Sequence, residues 1–315
     1  MHEPVRIAVI PAAGLGTRNF TSPVIPKEML TVFDAPVIQQ SVIEGRQAGI
    51  EKFVFVISPG KEMIAAHFGH HQELEDTLRA RGKQEVLDFL KDSKLKPEQV
   101  AVVYQDKPLG LGHAVLMAKE EVGGKPFAVL LPDEVMLGTP RCLEQMVGVY
   151  NQQGGNVVAV QAVPKDQTSR YGVLDVAGQQ DGFVSIKGMV EKPKPAEAPS
   201  NLAIIGRYIL QPSVFTHLEK MEKGAGGEVQ LTDAMAKLLR TEPFSGFEFK
   251  GRRHDCGHLP GLLLCAADLA LNSPKHGAEV RAGLAAMLQP PADGSQPATR
   301  PAAPTAGVRV EGTQP

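Results

Sequence analysis

The chain has 315 residues, of which 43% are hydrophobic and 22% charged, enough to bury a substantial core in one large or two small domains. Its 33 basic and 35 acidic residues leave a net charge of −2, which argues against nucleic acid or an anionic membrane surface as the main partner while leaving room for a local pocket that binds one phosphorylated ligand. Three widely spaced cysteines (Cys142, Cys256 and Cys265) form neither a disulfide framework nor a zinc pattern and read as small apolar residues of a reducing compartment.

No apolar run approaches the ~18 residues that cross a bilayer, and the opening Met-His-Glu-Pro-Val-Arg lacks the apolar segment of a signal peptide. A cytoplasmic protein that avoids both membrane and nucleic acid is the expectation. In chain order, Val5–Ile10, closed by Pro11, is a short β-branched run that predicts a buried strand. A glycine-rich loop follows, then helical spacing over Val37–Ala48. Phe53–Ile57, Val100–Tyr104 and Phe127–Leu131 predict three more buried strands with helical patterns between them. Alternating buried strands and helices imply a mostly parallel sheet covered on both faces. Residues 61–99 are too long for a plain connection and carry helical periodicity at Leu74–Leu78 and Val86–Leu90, which predicts a helical insertion.

After Asp133 the pattern changes. Val157–Val163, Tyr171–Val176, Phe183–Val190 and Ala203–Leu210 predict strands with fewer helices between them, hence a mixed sheet. Helical patterns return at Pro212–Lys220 and Leu231–Leu239, and C-terminal helices are expected within residues 261–288. Residues 289–315 hold six prolines and almost no large apolar side chains, which predicts a disordered tail after a catalytic domain spanning 1–288. His67, His70 and His71 lack supporting ligands and read as a solvated helix end, while Met29, Met117, Met189 and Met235 read as core filling.

The chemistry-bearing segments begin with Ala12-Ala13-Gly14-Leu15-Gly16-Thr17-Arg18, directly after the first strand. Glycines let backbone amides face a ligand, and amides beside an arginine make an anion cradle. The spacing is neither that of a dinucleotide-binding loop nor that of a P-loop. Ile25-Pro26-Lys27-Glu28-Met29-Leu30 adds a lysine behind a proline that fixes the local backbone. A dehydrogenase would need a third glycine and an acidic end to the second strand, where Ile57-Ser58-Pro59 stands instead.

Together, Pro11–Arg18 and Pro26–Leu30 resemble the signature of the sugar-1-phosphate nucleotidylyltransferases. Further matches follow in the family's order: Gln105 with Pro108–Ala114, Leu131-Pro132-Asp133-Glu134, Tyr171-Gly172-Val173, Met189–Pro193, Ser200–Tyr208, Gly227–Asp233 and His254-Asp255-Cys256-Gly257. The helical insertion, with Gly110–Ala114 and Asn201–Tyr208, resembles the bacterial UTP–glucose-1-phosphate uridylyltransferases within that family. Two departures stand out. Pro23 occupies the place of a lysine usual in that group, and His258-Leu259-Pro260-Gly261-Leu262 replaces a lysine-bearing segment.

The resemblance implies a Rossmann-like α/β nucleotidyltransferase fold. It implies transfer of uridylyl from UTP to glucose 1-phosphate, giving UDP-glucose and pyrophosphate, with Mg²⁺ as cofactor and a homodimer or homotetramer as the assembly. Arg18, Lys27 and Lys192 are the expected catalytic cations. Ala12, Ala13, Gly14, Gly16, Thr17, Glu28, Gln105, Gly110 and Gly112 would bind the nucleotide, and Gly172, Glu191, Lys192 and Asn201 the sugar phosphate. Asp133 and Asp255 would hold the metal. Another pyrimidine nucleotide such as dTTP, another sugar 1-phosphate, and a non-catalytic nucleotide-sugar sensor are the alternatives; the sensor would predict losses among Arg18, Lys27, Asp133 and Lys192, and all four are present.

Overall fold

The computed structural model describes residues 2–14, 16, 22 and 24–289. The described residues divide into two compact units, one ending at Leu269 and one beginning at Ala270, and residues 290–315, where the tail is expected, lie outside the described residues. The strands are β1 (Ile7–Pro11), β2 (Thr31–Val32), β3 (Ala35–Pro36), β4 (Lys52–Ile57), β5 (Val100–Tyr104), β6 (Phe127–Leu130), β7 (Glu134–Leu137), β8 (Asn156–Ala162), β9 (Gly172–Gln180), β10 (Phe183–Glu191), β11 (Leu202–Leu210), β12 (Phe244–Glu248) and β13 (Arg252–Asp255). The helices are α1 (Val37–Gln47), α2 (Met63–His67), α3 (Gln72–Ala80), α4 (Gln84–Ser93), α5 (Leu111–Met117), α6 (Lys119–Val122), α7 (Cys142–Gln153), α8 (Val214–Leu218), α9 (Leu231–Leu238), α10 (Leu259–Leu271) and α11 (Gly277–Met287).

Nine strands of the first unit form one mixed sheet in the order β5-β4-β1-β6-β11-β8-β12-β10-β9. The half β5-β4-β1-β6 is wholly parallel. Beyond β6 the pairings are antiparallel, except for β12 beside β8. The change of pattern expected after Asp133 is therefore where parallel pairing gives way.

Alternation along β1 sends Ile7 and Val9 into one core and Ala8 and Ile10 into another on the opposite face, and all four are buried. Burial on both faces is why this strand reads as a continuous apolar run rather than as an alternating one. Each such Val or Ile contributes about 1.5–3 kcal/mol. Met189 and Met235 lie in the first core and Met117 packs against it, while Met29 packs against the second.

β5 departs from the expected buried strand. It closes the sheet at one edge, and Val102 and Tyr104 stand exposed. The stretch from Lys61 to Pro97 folds as α2, α3 and α4. The histidines there differ among themselves: His70 and His71 are exposed, whereas His67 is half-buried and hydrogen-bonds Gln39 Oε1 through Nε2 at 2.8 Å. Burial and the neighbouring His71 lower its pKa. The three cysteines are buried.

Two features brace the region where the parallel half meets β11. Glu44 of α1 and Arg207 of β11 form a fully buried ion pair, with Arg207 Nη2 2.9 Å from Glu44 Oε2. The same guanidinium donates through Nη1 to the Leu131 carbonyl at 2.8 Å, just before Asp133. Removing one partner of such a pair costs about 3–5 kcal/mol, because the other charge is left buried. The second brace is the ribbon β7–β13, which pairs Glu134 with Asp255. In the second unit, the Gly277 amide opens α11 by donating to the Ser273 carbonyl at 2.8 Å. Among the described residues, no helix is long and apolar enough to cross a membrane.

Candidate active site

Two neighbouring cavities of about 390 and 570 Å³ open over the ends of β1 and β6 in the first unit. They share Gly14, Lys27, Leu111, Leu131, Asp133 and Glu228 as a common wall. At that wall Lys27 Nζ donates to Asp133 Oδ2 at 2.6 Å, with both side chains mostly buried.

Lys27 is presented by a 3₁₀ turn, Lys27–Met29, which Pro26 enters with φ −54°. The ring holds φ near the value that this turn requires. Asp133 follows β6, and its carbonyl accepts the Cys256 amide at 2.7 Å, so the turn after β6 is tied to the end of β13. Gly16 also lines the wall region; a Cβ there would touch the Lys27 stem at 3.4 Å.

The smaller cavity holds Glu28, Gln105 and Gly110, with Ala13 at its edge. Glu28 is 2% exposed, and burial raises its pKa against the opposing pull of Lys61 and Lys27. The Gln105 side-chain amide donates to the Gly110 carbonyl at 3.1 Å, and its nitrogen lies 2.8 Å from His113 Nδ1. Gly110 is a positional requirement: its φ is +107°, and a Cβ would lie 2.8 Å from the Val229 carbonyl.

The larger cavity holds Gly172, Glu191, Lys192 and Asp255, and with them Arg170, Tyr171 and Thr232. Adjacent residues of an extended strand face opposite sides, yet Glu191 and Lys192 both line this cavity. The reason is that β10 ends at Glu191 and Lys192 turns into the left-handed region, φ +48°. Its amide donates to the Tyr171 carbonyl at 2.9 Å and its Nζ lies 3.5 Å from Glu191 Oε1. Glu191 accepts a hydrogen bond from Thr232 Oγ1 at 2.6 Å. A Cβ on Gly172 would lie 2.7 Å from that hydroxyl.

Negative charge gathers at one end. Asp133, Glu134 and Asp255 line the same cavity. Burial pushes the Glu134 carboxyl up to about 7; Arg253 opposes this, and the charges of Asp255 and Asp133 add to it. Arg253 holds Glu134 through two bonds of 2.7 Å and lies over the Tyr171 ring, 5.0 Å from its centroid. Arg170 holds Asp255 Oδ2 at 2.8 Å. No group of three or more His, Cys, Asp or Glu able to hold a metal by themselves occurs among the described residues. Asp133 and Asp255, two carboxylates lining one cavity, nevertheless suit a hard cation that completes its shell with phosphate oxygens and water.

Three of the expected site residues lie outside the cavity linings. Ala12 is buried, with its amide on the Val56 carbonyl and its own carbonyl accepting from Lys61. Gly112 packs against Val229, whose carbonyl accepts its amide at 2.8 Å, so its lack of a Cβ serves helix packing. Asn201 is exposed at the start of β11 and directs Nδ2 toward the Val163 carbonyl, 3.4 Å away. Thr17 and Arg18 lie outside the described residues, as does Pro23. The functional assignment of single residues did not anticipate Lys61, Arg170 or Arg253; no local motif marks them, since each acts through a partner at least 33 positions away.

The nucleotidyl transferase family model matches residues 7–271. The chain belongs to this family. A UTP–glucose-1-phosphate uridylyltransferase of Komagataeibacter xylinus is 50% identical over 259 residues, 82% of this chain and 91% of that protein. Among solved structures of the family, a UTP-bound UGPase of Acinetobacter baumannii is 38% identical with TM-score 0.82, covering 90% of this chain and all of that one. A UDP-glucose pyrophosphorylase complexed with UDP-glucose is 34% identical with TM-score 0.74, covering 84% and 98%.

Proposed function

We propose that this nucleotidyl transferase moves the uridylyl group of UTP onto glucose 1-phosphate, releasing pyrophosphate and UDP-glucose. The observation that carries the reading is the shared wall: two cavities, one lined by Glu28 and Gln105 and the other by Glu191 and Lys192, meet at Lys27 and Asp133. Relatives whose names specify this activity cover 82% and 92% of this chain.

In the proposed reaction an oxygen of the sugar phosphate attacks the α-phosphorus of UTP in line. That O–P bond forms as the bond from the α-phosphorus to the bridging oxygen breaks, and pyrophosphate leaves with the electron pair. The attacking oxygen is already anionic, so no general base is needed. The barrier lies in joining two polyanions, and positioning with fixed charge lowers it. Lys192 holds the sugar phosphate and Glu191 accepts from sugar hydroxyls, while Gly172 leaves room for the ring. Lys27 neutralises charge on the transferring phosphate, and Arg18 is assigned the triphosphate by resemblance. Glu28, Gln105 and the Ala13–Gly14 backbone take the base.

Asp133 and Asp255 would hold Mg²⁺, which supplies charge stabilisation at the α-phosphate when bound. The reading includes a cytoplasmic location and a homodimer or homotetramer, a prospect supported by the exposed Leu263 and Leu264 of α10 and tested by mass measurement in solution. Pyrophosphate release is the decisive assay, with UTP against dTTP and with glucose, galactose and N-acetylglucosamine 1-phosphates. UTP with glucose 1-phosphate is expected to give the highest kcat/KM, and a preference for dTTP would overturn the base assignment.

A further inference from the structure

Lys61 lies just beyond β4 and lines neither cavity. Its ammonium nevertheless makes three bonds into the nucleotide side of the site. It donates to the Ala12 carbonyl at 2.7 Å, to the Gly14 carbonyl at 2.7 Å and to Glu28 Oε2 at 3.1 Å. An ammonium has three donors and no acceptor, so these partners use its full capacity. Both side chains are largely withdrawn from water, Lys61 at 14% exposure and Glu28 at 1%.

We propose that Lys61 is a positioning residue for the nucleoside triphosphate, holding the glycine loop and Glu28 in the one arrangement that accepts a pyrimidine base. The inference rests on the uridylyl-transfer reading and names a residue that reading does not use. Its first half is backbone geometry. A trans peptide is planar, with C=O and N–H on opposite sides. A carbonyl of Ala12 held by Lys61 therefore leaves the Ala13 amide facing away from Lys61, and Ala13 lines the smaller cavity.

The second half is charge. The imide N–H of uracil is a donor and needs an acceptor opposite it. An ionised carboxylate is acceptor-only, whereas a protonated one also donates. Glu28 is buried, which favours the protonated form, and the cations that oppose this are Lys61 first and Lys27 second. Loss of Lys61 thus removes the anchor of the loop and the main support for an ionised Glu28 together. The place of Lys61 is itself built: Gly60 turns with φ +88°, and Ile64, fully buried, fixes the start of α2 behind it.

The test compares K61M and K61R with the wild-type enzyme in steady-state kinetics, with melting temperature read alongside. For K61M the expected result is a rise of at least tenfold in KM for UTP, with KM for glucose 1-phosphate unchanged within twofold. The ratio of variant to wild-type KM for UTP should also shrink as pH rises and more Glu28 ionises, which a merely structural role would not produce. An unchanged KM for UTP, or an equal rise for both substrates, overturns the proposal. If K61M does not fold, K61R decides by the same split, because it keeps the charge while spreading its donors differently.

Direct titration with UTP, dTTP, CTP and ATP separates this proposal from the reading beneath it. A wild-type protein that binds UTP but does not turn over refutes uridylyl transfer and leaves the Lys61 contrast measurable. A wild-type protein that binds none of the four refutes both.

Discussion

The two cavities are built by different means. The side proposed for the nucleotide is shaped largely by backbone: a loop after a parallel strand, a left-handed Gly110, and the Gln105 amide and Lys61 ammonium bonded to main-chain carbonyls. The side proposed for the sugar phosphate is shaped by charge: Lys192, Glu191, Arg170 and Asp255 lie at the ends of antiparallel strands and turns, each held by another side chain or by a turn carbonyl. Backbone recognition suits a flat base with fixed donors and acceptors, while charge suits a phosphate and a ring of hydroxyls. The shared wall, Lys27 with Asp133, belongs to neither scheme alone, and its loss should be felt on both sides.

That wall supplies the largest expected effect. Asp133→Ala should lower kcat by roughly 10²–10³-fold, the range for removing one preorganised electrostatic group at a transition state, and should do so whichever substrate is varied. Chelation of divalent cations should abolish turnover and Mg²⁺ should restore it; activity that persists in chelator would remove the metal role assigned to Asp133 and Asp255. Next comes Lys192→Ala. A charge-assisted hydrogen bond is worth about 1.5–3 kcal/mol, so kcat/KM for glucose 1-phosphate should fall by roughly 10- to 150-fold. KM for UTP should stay level, and a rise in it would blur the division between the two sides.

Gly110→Ala probes the opposite side. A Cβ would meet the Val229 carbonyl at 2.8 Å and the Glu228 Cβ at 2.7 Å, on a backbone with φ +107°. Strain of this kind costs of order 1–3 kcal/mol. The expected result is a melting temperature lower by several degrees together with a raised KM for UTP, and the sugar phosphate should bind as before.

The two sides also differed in how far the sequence disclosed them. The parallel half was legible because a strand buried on both faces leaves an unbroken apolar run, as in β1 and β4. Of the residues expected to meet substrate there, Gly14 follows β1 closely, and Lys27, Glu28 and Gln105 join it in the lining of the smaller cavity from a 3₁₀ turn and from the end of β5. β5 misled because an edge strand shares the β-branched composition of a central one while one side of its pairing stays open. The ribbon β7–β13 was not foreseen, since pairing between residues some 120 positions apart leaves no local period. Gly112 and Asn201 sit in motifs but face packing and solvent, because a motif fixes the backbone path and not which of its side chains meets a cavity.

Thr232 gives the finest test of the contrast. Its hydroxyl donates to Glu191 Oε2 at 2.6 Å, and it lies close enough to Gly172 that a Cβ there would lie 2.7 Å from Oγ1. Thr232→Val keeps the volume and removes one hydrogen bond, worth about 1 kcal/mol net, or about fivefold. If charge shapes the sugar side, Glu191 stays in place through Lys192 and KM for glucose 1-phosphate should rise only a few-fold, with kcat and KM for UTP unmoved. If Thr232 instead fixes the Glu191 rotamer by itself, the loss should approach that of Lys192→Ala, and the sugar side would depend on a single hydroxyl hydrogen bond rather than on its network of charges.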